Sequence, residues 1–275
     1  MRLDLTRLAL GLVLSALIGG LGYARGSLTR GGWAGAMLVG TTSVGFGGWT
    51  IGALVVLFFV SSSALSHWRQ AAKAQLAADK FAKSERRDFG QTMANGGAVL
   101  ALSVAYAMLP VPAVWAAILG ALAAVTADTW ATEIGTLSRT PPRLVTSGRT
   151  VAPGTSGGIT PAGTLGSAGG ALAIGAGAAL LLPLLEGEAA WWAIPLALGA
   201  GLAGSLADSL LGATVQQQRW CPHCHTETER PIHRCGTPTT LVRGWRWLDN
   251  DAVNLLASLA GAVAGSALWW LGSSF

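Results

Sequence analysis

The chain has 275 residues, 51% of them hydrophobic and 11% charged, with a mean hydropathy of +0.49. Soluble domains carry about a quarter charged residues, so a soluble globular fold is excluded. The net charge of +5 does not indicate nucleic-acid binding, because the basic residues fall in connections between apolar stretches, where they set membrane topology.

Taken in order, apolar segments run over 8–23, 33–46, 49–65, 92–109, 111–126, 162–185, 191–215 and 253–271. Each approaches the roughly 20 residues needed to cross hydrocarbon. The first is short and follows Arg2 and Arg7, as a cleaved signal would, but Ala24-Arg25-Gly26-Ser27 makes a poor cleavage site and a retained span is expected. The 38 glycines suit helices that approach closely through small residues. The expected fold is therefore all-α: a polytopic transmembrane bundle of about eight spans, one domain over 1–275. Three connections stand apart: a basic amphipathic segment at 64–90, a catalytic and phosphate loop at 128–160, and a zinc-knuckle insertion at 216–247.

Apart from Arg2 and Arg7, every Lys and Arg lies in alternate connections: Arg25 and Arg30; Arg69 to Arg87; Arg139, Arg143 and Arg149; Arg219 to Arg246. Positive charge marks the cytoplasmic side, so an inner-membrane protein with both termini extracytoplasmic is predicted. Residues 67–87 read as a cytoplasmic amphipathic helix, with Ala71, Leu76 and Phe81 interleaved with Lys73, Lys80 and Lys83. Such a helix suits anionic headgroups or an anionic substrate.

The fifth apolar segment, 111–126, runs into the stretch that matters chemically, Ala127-Asp128-Thr129-Trp130-Ala131-Thr132-Glu133-Ile134-Gly135. Carboxylates entering hydrocarbon mark a polar cavity or a bound ion. Asp128 and Thr132 lie near one helical face, whereas Glu133 is about 140° away, so both acids serve one ion only if the helix ends there. Ser205, Asp208 and Ser209 recur late in the seventh span. Asn250, Asp251 and Asn254 open the eighth, and Asn95 lies early in the fourth. Acids converging from one side with Asn, Ser and Thr suit a hard cation, and magnesium is usual when phosphates complete the shell. Asp128, Asp208 and Asp251 are the magnesium candidates, with Glu133 a fourth catalytic acid; interhelical hydrogen bonding is the competing use.

The run Gly154-Thr155-Ser156-Gly157-Gly158 lacks the Gly-Lys-Ser/Thr of a P-loop. Its N–H groups can still cradle a phosphate ahead of a helix starting near Pro161. Cys221-Pro222-His223-Cys224 followed by His233-Arg234-Cys235 suits one tetrahedral zinc through Cys221, Cys224, His233 and Cys235, with His225 as a rival nitrogen ligand. Four protein ligands leave no open position, so this zinc is expected to be structural.

These stretches, together with Arg87-Asp88, Asn95-Gly96, residues 204–213 and Asn250-Asp251-Ala252-Val253-Asn254, make the chain similar to the phytyl-phosphate kinase-like family of integral membrane proteins, domain-of-unknown-function family 92. The resemblance covers nearly the whole chain. It implies phosphoryl transfer from a nucleoside triphosphate, CTP in the plant case, to an isoprenoid monophosphate, giving the diphosphate. Partners are then the lipid monophosphate, the nucleotide and membrane lipid, with a homodimer left open. The phosphate-binding set is Arg87, Asn95, Thr132, Arg143, Arg149, Gly154 to Gly158, Ser205, Ser209, Asn250 and Asn254. A lipid-phosphate or small-anion transporter and a CDP-lipid-forming cytidylyltransferase use similar features and are the alternatives.

Overall fold

Basic connections and connections without Lys or Arg sort to opposite ends of one helical bundle in the computed structural model, which describes residues 4–77 and 86–273. The helices are α1 (Leu5–Ala24), α2 (Arg30–Thr42), α3 (Trp49–His67), α4 (Gln70–Ala77), α5 (Phe89–Met108), α6 (Pro112–Gly135), α7 (Pro161–Glu186), α8 (Ala193–Thr214) and α9 (Asn250–Ser273). A π-helical turn, Ser43–Gly47, extends α2. Strands β1 (Arg143–Leu144) and β2 (Gly158–Ile159) pair antiparallel. Strands β3 (Gln218–Cys221), β4 (Thr226–Thr228) and β5 (Thr240–Arg243) form an antiparallel sheet in the order β4-β3-β5.

Among the described residues six helices, α1, α3, α6, α7, α8 and α9, are long and apolar enough to cross a membrane. The two remaining expected spans correspond to α2, only 13 residues long before its π turn, and α5, which carries Gln91, Thr92 and Asn95. Of the segment expected to form an amphipathic helix over 67–87, Gln70–Ala77 forms the short helix α4; Lys80, Phe81 and Lys83 lie outside the described residues.

Local signals explain the helix ends. Pro112 and Pro161 open α6 and α7, where a missing N–H costs nothing. Thr29 and Thr160 cap α2 and α7, and Asp88 with Gln91 forms a reciprocal capping box on α5. Gly187, at φ 77°, closes α7 in the left-handed conformation.

Helix α6 is the axis of the bundle. Every residue from Trp115 to Ala127 is buried, and the helix touches α3, α5, α7, α8 and α9. Its alanines and Gly120 make that crowding feasible, since small side chains let backbones approach in lipid. A Cβ at Gly120 would strike the Gly261 carbonyl on α9, one at Gly261 the Gly120 carbonyl, and one at Gly265 the Ala116 carbonyl.

At the basic end, Arg87 N donates to Ser27 O (3.0 Å) and Thr29 N to Arg87 O (3.0 Å), joining the first two basic connections. Ser156 Oγ donates to Glu229 Oε1 (3.1 Å), joining the other two. At the opposite end Glu186 accepts from Thr50 N (3.1 Å), and Trp192 makes edge contacts with Trp115 and Trp269. The dissenting Arg7 is paired there with Asp4 at 3.6 Å.

Candidate functional site

The contacts of α6 descend toward the basic end in steps of four. Gly265 meets Ala116, Gly261 meets Gly120, and Gly204 of α8 meets both Ala124 and the Ala257 carbonyl. One further turn brings Asp128 of α6, Asp208 of α8 and the Val253-Asn254 turn of antiparallel α9 to one level. Asp208 accordingly has the Asp128 carboxylate as an electrostatic neighbour, with Glu229 as a second. Its Oδ2 is buried and accepts no hydrogen bond among the described residues. Two neighbouring carboxylates, one with a buried oxygen that meets no donor among the described residues, have the chemistry to accept a cation.

Asp251 sits in the first turn of α9, where the helix N-terminus favours a negative charge. It lines a groove against Gly90, Met93, Ala94 and Gly97 of α5. Asp249 is used to cap α9, accepting from Ala252 N at 3.0 Å. Ser205 is buried; Ser209 and Asn254 are half-buried near the Asp128–Asp208 level, and Asn250 is exposed at the start of α9.

Helix α6 continues unbroken to Gly135, so Glu133 points away from Asp128. It accepts from Ser66 Oγ (2.5 Å) and pairs with Lys73 Nζ (2.5 Å), which also donates to the Leu65 and Ser66 carbonyls at the end of α3. The sequence contained no signal that Lys73 would reach Glu133. Thr132 is exposed, its carbonyl accepting from Thr136 Oγ1.

The glycine-rich run is a tight turn rather than a free linker. Gly154 and Gly157 have φ of 77° and 79°, and a Cβ on Gly157 would lie 2.5 Å from Ala213 N at the end of α8. Ser156 Oγ also accepts from Gln218 Nε2 (2.8 Å), while Glu229 takes a second bond from Gln216 Nε2 (2.8 Å). Sequence reasoning missed Glu229, Gln216 and Gln218, because single polar residues in a hairpin carry no spacing signal. Arg143 and Arg149 are exposed on the β1 hairpin; Arg143 Nη1 donates to Gly148 O within it (2.9 Å). Arg243 donates to the Gly212 and Ala213 carbonyls, a cation closing the C-terminus of α8.

Arg87 lies with its guanidinium 5.4 Å from the centre of the Phe58 ring, and with Asn95 it lines a cavity between α1, α2, α3 and α5. Burial works against its charge, and the Glu133 carboxylate is the neighbour that supports it.

Cys221, Cys224, His233 and Cys235 hold ligand atoms all within 4.8 Å of one another. Cys221 Sγ and Cys235 Sγ are 3.7 Å apart, and His233 Nδ1 lies 3.3 Å from Cys235 Sγ. Metal–sulfur bonds of about 2.3 Å give a tetrahedral edge of about 3.8 Å, so the four atoms fit one metal ion. The knuckle turn closes through His225, at φ 51°, whose N–H bonds Cys221 O (2.9 Å) and whose ring meets Trp220, so the nitrogen standing with the three thiols is that of His233. Thr237 and His233 hold the Cys235 thiol down to about 5, whereas hydrogen bonding to Cys235 pushes Cys224 up to about 11.

The family model described as "Integral membrane protein DUF92" matches residues 13–262. Protein PGR of Arabidopsis thaliana is 31% identical over 274 residues, covering 92% of this chain and 93% of PGR. "Uncharacterized membrane protein MJ0933" of Methanocaldococcus jannaschii is 33% identical over 160 residues, 56% of this chain and 52% of that protein. No solved structure matches. With a family match over most of its length and a relative aligned nearly end to end, the chain belongs to the DUF92 family of integral membrane proteins.

Proposed function

We propose that this protein is a membrane-embedded isoprenoid-phosphate kinase, moving the γ-phosphoryl group of a nucleoside triphosphate, CTP by the family resemblance, onto a prenyl monophosphate such as phytyl phosphate. The observation that carries the reading is the Asp128–Asp208 pair, set at one level of α6 and α8 beside a glycine-rich turn docked on the end of α8. The four basic connections meet at this end of the bundle, which by their charge is the cytoplasmic end, where nucleotide is available.

The buried, donor-free Oδ2 of Asp208 and the facing Asp128 suit magnesium. Bound there, it would neutralise charge on the triphosphate. The chain's own residues bind and position. Within the Gly154 to Gly158 turn, Thr155 N and Gly158 N are taken by Ala152 O and Thr155 O, so the N–H groups of Gly154, Ser156 and Gly157 would hold phosphate oxygens, with Ser205, Ser209 and Asn254 around the carboxylates. An oxygen of the lipid monophosphate attacks the γ-phosphorus, the bond to the bridging oxygen breaks, and the nucleoside diphosphate leaves with that electron pair. A phosphate monoester is already nucleophilic, so no general base is needed and catalysis is positioning plus charge stabilisation. Zinc at Cys221, Cys224, His233 and Cys235 would be structural, holding the sheet whose Gln218 and neighbouring Glu229 steady Ser156.

Incubating purified protein with prenyl monophosphate and γ-labelled CTP tests this reading. Label appearing in a lipid diphosphate supports it; release of pyrophosphate with a CDP-lipid product, or no turnover of any nucleotide, refutes it.

A further inference from the structure

A cavity of about 240 Å³ lies between α1, α2, α3 and α5, and its wall includes neither Asp128 nor Asp208. Most of the wall is apolar, with Val39, Val56 and Val99 among its residues, while Arg87, Gln91, Thr92 and Asn95 gather toward the basic end. Along α3 the wall extends from Phe59 to Trp49, ten residues and thus a rise of about 15 Å. Trp49 and Leu185 stand at the far end.

The polar end has donors to spare, chief among them the guanidinium. Thr92 Oγ1 bonds Asp88 O and Asn95 Nδ2 bonds Gln91 O, both within α5. Among the described residues no hydrogen bond or ion pair ends on the Arg87 guanidinium, which rests over Phe58. A guanidinium facing an apolar cavity is costly unless an anion meets it, and its planar fork matches phosphate oxygens. An apolar channel ending at such a group has the shape and polarity of a single-chain lipid with a phosphate head.

We infer that this cavity seats the acceptor lipid, its chain between α1, α2, α3 and α5 and its monophosphate on Arg87, with Trp49 and Leu185 limiting chain length. The identity of the head group rests on the kinase reading above; the seat of the chain rests on the cavity. Arg87 is then a binding residue, and Trp49 a specificity determinant that sequence spacing does not reveal.

The test uses the full chain in nanodiscs and a long-chain alkyl monophosphate bearing a photoreactive group at the chain end, with adducts mapped by mass spectrometry. Adducts are expected on α3 between Trp49 and Phe59 and near Val99, competed by unlabelled long-chain phosphate but not by inorganic phosphate at the same concentration. Arg87→Gln should reduce labelling about tenfold or more, as expected for loss of a charged hydrogen-bonding partner, while leaving labelling by the uncharged alcohol unchanged. Val56→Trp, which fills the cavity from a half-buried position, should reduce both, with elution like wild type confirming the fold. Adducts concentrated at the Gly97–Leu255 groove, equal competition by inorganic phosphate, or wild-type labelling in both variants would overturn the proposal. Phosphoryl transfer is read on the same samples. Cavity labelling without transfer leaves the lipid site standing and removes the kinase reading, whereas unimpaired transfer in both variants does the reverse.

Discussion

Lys73 Nζ lies 2.5 Å from Glu133 Oε2, tying α4 to the last turn of α6. Both side chains are largely buried, at 11% and 19% exposure, so loss of one partner strands a charge in a poorly solvated place. A double-mutant cycle with Glu133→Gln and Lys73→Met is expected to give a coupling of about 1–3 kcal/mol in thermal or denaturant unfolding. Additive effects would show that the pair is uncoupled. Glu133→Gln should also lower melting temperature more than it lowers turnover, the opposite of the pattern expected for Asp128.

The helices and the placement of charge were legible in the sequence because both follow from solvation. Apolar length marked the segments, Pro161 marked the start of α7, and the alternation of Lys and Arg matched the basic end of the bundle. The level shared by Asp128 and Asp208 was legible only in part. It depends on contacts of Gly120, Gly204 and Gly261 with other helices, and a glycine among many carries no mark of its partner. The unbroken course of α6 turns Glu133 toward Lys73, a long-range pairing that helical spacing cannot reveal. In the knuckle, spacing pointed to the three cysteines and His233 with His225 as a rival, and the turn geometry leaves His225 outside the four-residue cluster.

Close helix contact predicts intolerance at Gly261. A valine there would meet the Gly120 carbonyl and Ala124 Cβ, neither of which can withdraw cheaply. Gly261→Val should cost about 1–3 kcal/mol or prevent folding, read as a lowered melting temperature or aggregation on extraction. Wild-type melting would show that α6 and α9 are not in backbone contact.

The knuckle assignment predicts one zinc per chain by elemental analysis. Cys221→Ser and Cys235→Ser should lose the metal and lower the melting temperature, because ion binding and folding of this small sheet are linked. Purified, folded and active protein without metal would contradict the assignment.

Glu229 accepts from both Ser156 and buried Gln216, so Glu229→Ala leaves two donors without their acceptor, at about 1–3 kcal/mol for a buried one. The glycine-rich turn should then exchange its amide hydrogens faster over residues 152–158. Unchanged exchange there would mean that packing on Ala213 and the Gln218–Ser156 bond hold the turn without Glu229.

Phosphoryl transfer by Asp128→Asn and Asp208→Asn proteins tests the central claim most directly. Asparagine keeps the size and hydrogen-bonding capacity of aspartate and removes the charge a cation needs. Loss of such an electrostatic contact should lower transfer from γ-labelled CTP to prenyl monophosphate by about 10²-fold or more. Expression, elution and melting should stay close to wild type. Turnover at the wild-type rate in both variants would contradict the assignment of this carboxylate pair as the reacting centre.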